Sequence, residues 1–213
     1  MSKLDWKDGF LFVGNQLALD FLNTRPVQNG EPSELLPDFS ALLRWFQAAN
    51  QLNSRQVGSL QRQWGGSANA QRTTEAMRQL REKLRKEILD WERSGWVQHS
   101  TQDQLNKLMA EHPMRTRLRT NGKSYLTELW FEPREPEDLF APLAHSVARL
   151  FVTADRKRVR KCAQCVLHFY DTSKKGTRRW CSMQLCGNRL KVAAYATRRR
   201  QRAHKAQKND TGV

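Results

Sequence analysis

The chain has 213 residues, with 37 Lys and Arg against 21 Asp and Glu, so its net charge is +16. No apolar run is long enough to span a bilayer, and the early apolar run 10–13 is interrupted too soon to act as a secretory signal. These features exclude a membrane-spanning protein and favour one or two domains in the cytoplasm, where thiols stay reduced.

Hydrophobic periodicity predicts that residues 1–154 form a mainly helical domain. The proline-containing stretch 25–37 is expected to be a loop, and Ser100-x-x-Asp103 is interpreted as a capping box. Pro142 is expected to delay or kink the last helix. Residues 10–24 are predicted to begin with a short apolar strand or extended segment and to continue as a helix. The other predicted helices cover residues 39–49, 54–64, 67 or 73 to 93, 100–112 and 137–154.

Two features within this part deviate from simple helical periodicity. Residues 116–131 alternate around Asn121-Gly122, which predicts a small β-hairpin. Asp20 and Asn23 lie three residues apart on one face of an apolar helix. Their roles are capping or buried hydrogen bonding on one interpretation, and a small-ligand pocket in a sensor domain on the other.

All four cysteines occur close together near the end of the chain, as Cys162-x2-Cys165, fifteen residues, and Cys181-x4-Cys186. Two such pairs can present four thiolates to one tetrahedral Zn²⁺. Disulfides are the alternative, but a reducing compartment disfavours them. His168, three residues after Cys165, is a further candidate ligand. Because four cysteines already complete a structural zinc site, a hydrogen bond or a surface position is expected for His168 instead. We therefore expect one structural Zn²⁺.

Positive charge is concentrated around these cysteines. Residues 156–208 hold seventeen Lys and Arg and a single acid, Asp171, so this segment accounts for the whole excess of +16. Such a segment favours a polyanion: DNA as the first hypothesis, RNA or the ribosome as the second, with an anionic membrane or a merely solubilising tail less favoured. The candidate contacts are Lys174, Lys175, Arg178, Arg179, Arg189, Lys191, Arg198, Arg199 and Arg200.

The order of cysteine knuckle, hairpin and helix over residues 155–205 predicts a treble-clef-like zinc finger, followed by a disordered tail at 206–213. Arg178 and Arg189 flank the cysteines and are candidate base readers, since Arg pairs with guanine. The motifs H-E-x-x-H, P-loop and G-x-S-x-G do not occur, and four thiolates leave no open metal position. An enzyme is therefore not expected.

Two stretches are similar to known families. Cys186-Gly187-Asn188-Arg189, with residues 179–183 and Cys162-x2-Cys165 before it, closely resembles the CGNR zinc finger. Residues 14–24, GNQLALDFLNT, resemble the opening of the ABATE domain. The resemblance implies a stress-induced bacterial transcription regulator, with DNA binding by the finger and a small-molecule or protein effector of the larger domain. It places zinc on the four cysteines and a tight turn at Gly187.

Overall fold

The computed structural model describes residues 5–28, 30–188, 197 and 199. Within these ranges the chain is mainly helical with short antiparallel hairpins, which confirms the predicted fold class. The helices are α1 Leu17–Leu22, α2 Phe39–Ala48, α3 Ser54–Trp64, α4 Ala68–Ser94, α5 His99–Glu111 and α6 Phe140–Thr153. The hairpins pair β1 Trp6–Lys7 with β2 Phe10–Leu11, β3 Val27–Gln28 with β4 Glu31–Pro32, β5 Arg115–Thr120 with β6 Tyr125–Trp130, and β7 Val159–Lys161 with β8 His168–Tyr170.

Several helix starts follow from local side-chain chemistry. The Asp38 carboxylate accepts a hydrogen bond from the Ala41 amide at 2.8 Å and begins α2 as predicted. Asn53 and Gln56 form a reciprocal capping box at α3. Ser67 caps α4 by accepting from the Ala70 amide. In each case the side chain satisfies an amide that the first turn leaves unpaired.

The start of α5 was predicted wrongly. The helix begins at His99, with Gln98 at the N-cap position and no capping side chain, so Ser100 and Asp103 do not form a capping box. Contacts with α4 fix the entry instead. The Glu87 carboxylate accepts hydrogen bonds from the Gln98 amide at 2.7 Å and from the Thr101 hydroxyl at 3.1 Å. A tertiary partner thus replaces the local cap.

Two other segments refine the predictions. The expected loop 25–37 contains the short strands β3 and β4. The hairpin β5–β6 is confirmed, with Thr120 opposite Tyr125 and Gly122 at a φ of 93°. Pro142 lies in the first turn of α6, after a 3₁₀ turn at Pro136–Leu139, where a missing amide proton breaks no helical hydrogen bond.

The main core lies between α1, α2, α4 and α6. Trp45 is fully buried there, between Phe21 and Phe46 at ring-centroid distances of 5.6 and 5.0 Å. Arg81 on α4 is also buried, and its guanidinium makes a two-point contact with the Glu34 carboxylate at 2.8 and 2.5 Å. A charge in this position is tolerated because it is paired and hydrogen-bonded.

A second, smaller core joins the chain's beginning to its cysteine-rich part. Leu11 and Val13 pack with Leu167, Phe169 and the cysteines. The amide of Tyr170 donates to the Gly14 carbonyl at 2.8 Å. We retain residues 1–154 and 155–205 as proposed domains, joined by these contacts. The proposed tail, 206–213, lies outside the described residues.

Candidate metal centre and basic surface

The β7–β8 hairpin holds the first cysteine pair. Cys162 directly follows β7, and its amide donates to the Leu167 carbonyl at 2.8 Å, which closes the turn containing Cys165. The second pair spans a π-helical turn, Met183–Gly187. The Ser182 hydroxyl caps this turn by accepting from the amides of Gln184 and Leu185. The turn thereby brings Cys186 back beside Cys181.

The four sulfur atoms lie within 4.8 Å of one another. Cys181 Sγ is 3.7 Å from Cys165 Sγ and 3.6 Å from Cys186 Sγ. A disulfide requires about 2.05 Å, and all four cysteines are free. Four sulfurs about 2.3 Å from a tetrahedral zinc ion are separated by about 3.8 Å. The spacing therefore fits one structural Zn²⁺ and does not fit disulfides.

The thiol electrostatics also fit a cation. Hydrogen bonds from Cys165 and Cys181 lower the pKa of Cys162. The hydrogen bond between Cys165 and Cys162 in turn raises the pKa of Cys165 to about 12. The hydrogen bond to Cys162 raises the pKa of Cys181, and burial raises that of Cys186. Sulfurs this close cannot all be ionised unless a cation shares their negative charge.

The surroundings of the cluster shield it from water. Cys162, Cys181 and Cys186 are buried, and the amide of Cys181 points at Cys162 Sγ at 3.4 Å. The Ser182 hydroxyl also donates to the Asp5 carboxylate at 2.5 Å, which ties residue 5 to the second cysteine pair. Such contacts around metal ligands fix their orientation.

Gly187 occupies the tight place expected from the resemblance. A Cβ atom there would lie 2.7 Å from Met183 Sδ and 3.0 Å from Trp180 Nε1. His168 is not part of the four-sulfur cluster. The expectation of a hydrogen bond or a surface position for His168 was wrong, because its ring is buried and neither ring nitrogen has a hydrogen-bond partner among the described residues.

The side chains of Asp20 and Asn23 lie in different surroundings. Asp20 Oδ1 accepts from the Gly14 amide at 2.7 Å, and Asp20 lines a cavity of about 270 Å³ together with Asn15 and Gln16. Burial raises the pKa of Asp20 to about 7, although the Gly14 hydrogen bond and the charge of Lys7 oppose this rise. The Asn23 side chain is instead paired with the backbone of His168: its amide donates to the carbonyl and its oxygen accepts from the amide, both at 2.8 Å.

Several arginines of the basic segment hold the protein backbone. Arg156 donates to the carbonyls of Glu92 and Arg93 at the end of α4. Arg158 donates to the Asp171 and Ser173 carbonyls, and Arg160 to that of Gly176. These cations stabilise the finger and its attachment.

Asp171 anchors the loop that follows β8. The residue is fully buried, and its carboxylate accepts from the amides of Ser173 at 2.9 Å and Arg178 at 2.7 Å. Burial acts to raise its pKa, but these hydrogen bonds and Arg160 outweigh burial and leave the pKa below its ordinary value. The only acid of the basic segment is therefore committed to holding this loop.

A basic groove of about 350 Å³ lies beside the cysteine cluster. Its lining carries four cations and one acid: Arg160, Lys161, Arg178, Arg179 and Glu92, with Ala163. The Arg178 guanidinium lies 4.6 Å from the centre of the Phe169 ring and donates to the Trp180 carbonyl. Arg179 is exposed and lies over the Trp180 ring at 5.7 Å. Two predicted contact residues therefore share one surface.

The other predicted contacts fall into two groups. Lys174 and Lys175 are exposed in the loop after β8, and Arg199 is exposed and helical. Arg189, Lys191, Arg198 and Arg200 lie outside the described residues. Arg160 and Lys161 were not among the contacts predicted from the sequence. The available signal was their position in the basic segment, immediately before the first cysteine.

None of the helices in the described ranges is long and apolar enough to cross a bilayer. Residues 15–154 match the ABATE family model, described as "Putative stress-induced transcription regulator". Residues 158–199 match the CGNR zinc finger. Neither description is of an enzyme. A comparison with individual curated proteins gave no match. The first match covers most of the chain, and the chain therefore belongs to the ABATE family, with a CGNR zinc finger after the ABATE domain.

Proposed function

We propose that this protein is a zinc-dependent, DNA-binding transcription regulator that acts in the cytoplasm without catalysing a reaction. The finger supplies the contact surface, and the larger domain receives an effector, either a small molecule or a protein. The ABATE description supports the regulatory part of this proposal.

The basic groove beside the cysteine cluster is the observation that carries the DNA-binding part. Arg178 and Arg179 lie three and two residues before Cys181, and Lys161 directly precedes Cys162. A bound Zn²⁺ would fix both segments, and with them the spacing of their cations. Cations held on a rigid scaffold lose little further freedom when they bind phosphate, and Arg can contact it at two points. The groove thus has the sign and the rigidity that a phosphate backbone requires.

The aromatic residues favour DNA over single-stranded RNA. Single-stranded RNA is recognised largely by stacking bases on exposed aromatic rings. In the described part of the finger, Phe169 is buried under Arg178, and Tyr170 and Trp180 are only partly exposed. These rings are used inside the finger, so they offer no open stacking platform.

Selection of bound sequences from random DNA, with an RNA competitor in the same tube, tests the proposal. The zinc-loaded protein should enrich a DNA sequence that RNA does not displace, and chelation should abolish the enrichment. Arg189→Ala should lower the preference for the selected sequence by about 1–3 kcal/mol if Arg189 reads a base. Displacement by RNA, or enrichment without zinc, would contradict the proposal.

A further inference from the structure

A second cavity lies where the finger meets the larger domain. It has a volume of about 260 Å³, slightly below the range of about 300–1,000 Å³ typical of drug-sized ligands. Residues from both parts of the molecule line it, so a ligand bound there would contact both. We call it the interdomain cleft; its lining is Arg25, Val27, Pro32, Glu82, Arg85, Leu89, Lys161, Val166 and His168.

His168 is the unusual member of this lining. Its side chain is buried, with 1% of the residue exposed, yet neither ring nitrogen has a hydrogen-bond partner among the described residues. The Asn23 side chain is hydrogen-bonded to both the amide and the carbonyl of His168, so β8 cannot easily shift to give the ring a hydrogen-bond partner. An unpaired buried polar group costs about 1–3 kcal/mol and calls for an explanation. A ligand that pairs with the ring would provide one.

The charge of the cleft selects an anion. Arg25, Arg85 and Lys161 face the single acid Glu82, which already contacts Arg25 at 3.6 Å and Arg85 at 3.2 Å. No described carboxylate forms an ion pair with Lys161. Burial, Arg85 and Lys161 lower the pKa of His168 to about 4. The neutral ring can therefore donate one hydrogen bond to an anion that the cations attract.

The remaining wall of the cleft is apolar. Val27 and Pro32 come from the β3–β4 hairpin, Leu89 from α4 and Val166 from the finger. Free phosphate would leave this wall without a partner. An organic acid with a carboxylate at one end and a single ring or short chain at the other uses both halves of the cleft.

We propose that the interdomain cleft binds a small organic carboxylate, with the carboxylate on Arg25, Arg85, Lys161 and the His168 ring. Lys161 lines both this cleft and the basic groove. A carboxylate that engages its ammonium group removes one cation from the groove. The ligand therefore weakens DNA binding and reduces the salt dependence by about one phosphate contact. This regulatory effect rests on the proposed DNA-binding function, whereas the binding of the acid does not.

Benzoate is a suitable probe, and its neutral analogue benzamide is the matched control. We expect benzoate to shift the assigned His168 ring resonances of the zinc-loaded protein in an NMR titration, and benzamide to leave them unchanged. Arg25→Gln, at an exposed position, should weaken the interaction about tenfold or more, because it removes one charge-assisted hydrogen bond. Arg55→Gln, on α3 outside the cleft, should have no effect.

Three results would overturn the inference: no benzoate response of the His168 ring at millimolar concentration, an equal response to benzamide, or an equal response to inorganic phosphate. DNA binding is measured separately. DNA affinity that benzoate lowers in the native protein but not in Lys161→Gln supports the shared lysine. Benzoate binding without any DNA binding would contradict the proposed function but support the ligand site. DNA binding without a benzoate response of the His168 ring would support the proposed function but contradict the ligand site.

Discussion

The side chain of Asn23 links the helical domain to the zinc finger. It is fully buried, and it pairs with the amide and carbonyl of His168, 145 residues further along the chain. Sequence patterning singled out Asn23 as a polar residue in an apolar helix, whereas the structure places it at the C-cap position, directly after the last residue of α1. Its partner was not predictable, because a backbone group carries no sequence signal and the contact depends on how the finger docks.

Replacing Asn23 should destabilise the whole protein. Asn23→Ala leaves two buried backbone groups of His168 without partners, and each costs about 1–3 kcal/mol, so we expect a loss of about 3 kcal/mol. Urea unfolding at fixed zinc concentration measures it. Asn15→Gly is the control: it loses only an exposed hydrogen bond to the Tyr170 carbonyl, and glycine accepts the φ of 59°. Its cost should be about 1 kcal/mol or less. Equal losses in both variants would contradict the assigned role.

Asp20 should make stability depend on pH. Burial raises its folded-state pKa to about 7, whereas its unfolded pKa is the ordinary 3.8. Between these values the folded state holds a proton that the unfolded state has released. Its stabilising contribution is therefore complete below about pH 4 and is lost as the pH rises through about 7.

The Asp20→Asn variant isolates this effect, since an amide keeps the oxygen that accepts from Gly14 and does not titrate. Its unfolding free energy, relative to the native protein, should increase by about 1.4 kcal/mol per pH unit between about pH 4 and 7 and then level off. Groups unaffected by the substitution cancel in this difference. A difference that stays constant with pH would show that Asp20 has an ordinary pKa.

At the scale of elements, the end of α4 illustrates which cations of the basic segment are structural. Gly95 ends the helix in the left-handed conformation, at a φ of 75°. Arg156, from the segment after α6, then donates to two of the last helix carbonyls, those of Glu92 and Arg93, at 3.0 and 3.1 Å. A cation at this end also interacts favourably with the helix dipole.

Arg156→Gln should therefore destabilise the protein by about 1–2 kcal/mol, because two hydrogen bonds from a charged group weaken and the dipole interaction is lost. The neighbouring Lys157→Gln should change the unfolding free energy by less than about 0.5 kcal/mol, since Lys157 is exposed. Thermal unfolding of both variants makes the comparison. A larger loss for Lys157→Gln would contradict this distinction.

Elements with local signals could be predicted from the sequence. Asp38 and Ser67 begin their helices through their own side chains, and the hairpin turn at Asn121-Gly122 uses the φ that glycine permits. The start of α5 was not predictable in this way, because Glu87 on another helix fixes it. The cysteine cluster was predictable, since ligand spacing along the chain encodes a tetrahedral site.

At the scale of the whole molecule, zinc supports both a small core and its attachment to a larger one. Cys181→Ser should unfold the finger, since its described apolar contacts are few and are centred on the cysteines. Most of the helical signal should remain, because the main core between α1, α2, α4 and α6 contains no cysteine. The melting temperature of the remaining helical domain should fall, because Leu11 and Val13 lose their packing partners in the finger. Circular dichroism with and without a chelator tests this, and complete loss of helicity would contradict it.

The net charge of the basic segment predicted that its surface is positive. Which of its cations remain available on that surface depends on the contacts they make within the folded protein. Among the seventeen cations, Arg156, Arg158 and Arg160 hold backbone carbonyls of the protein itself. Lys174 and Lys175 are exposed, and so is Arg179 in the groove. Counting basic residues therefore overestimates the number available to phosphate, and the exposed ones provide the sharper test.

The salt dependence of DNA binding tests the central claim most directly. The triple variant Lys174→Gln, Lys175→Gln, Arg179→Gln should retain zinc and bind DNA more weakly, with a salt slope smaller by about 3, because each phosphate contact contributes about 0.9. The matched control replaces Arg55, Arg62 and Arg72, three exposed arginines that do not line the groove, by Gln. Its slope and affinity should equal those of the native protein. Equal slopes in both variants would contradict the assignment of the zinc finger as the DNA-binding surface.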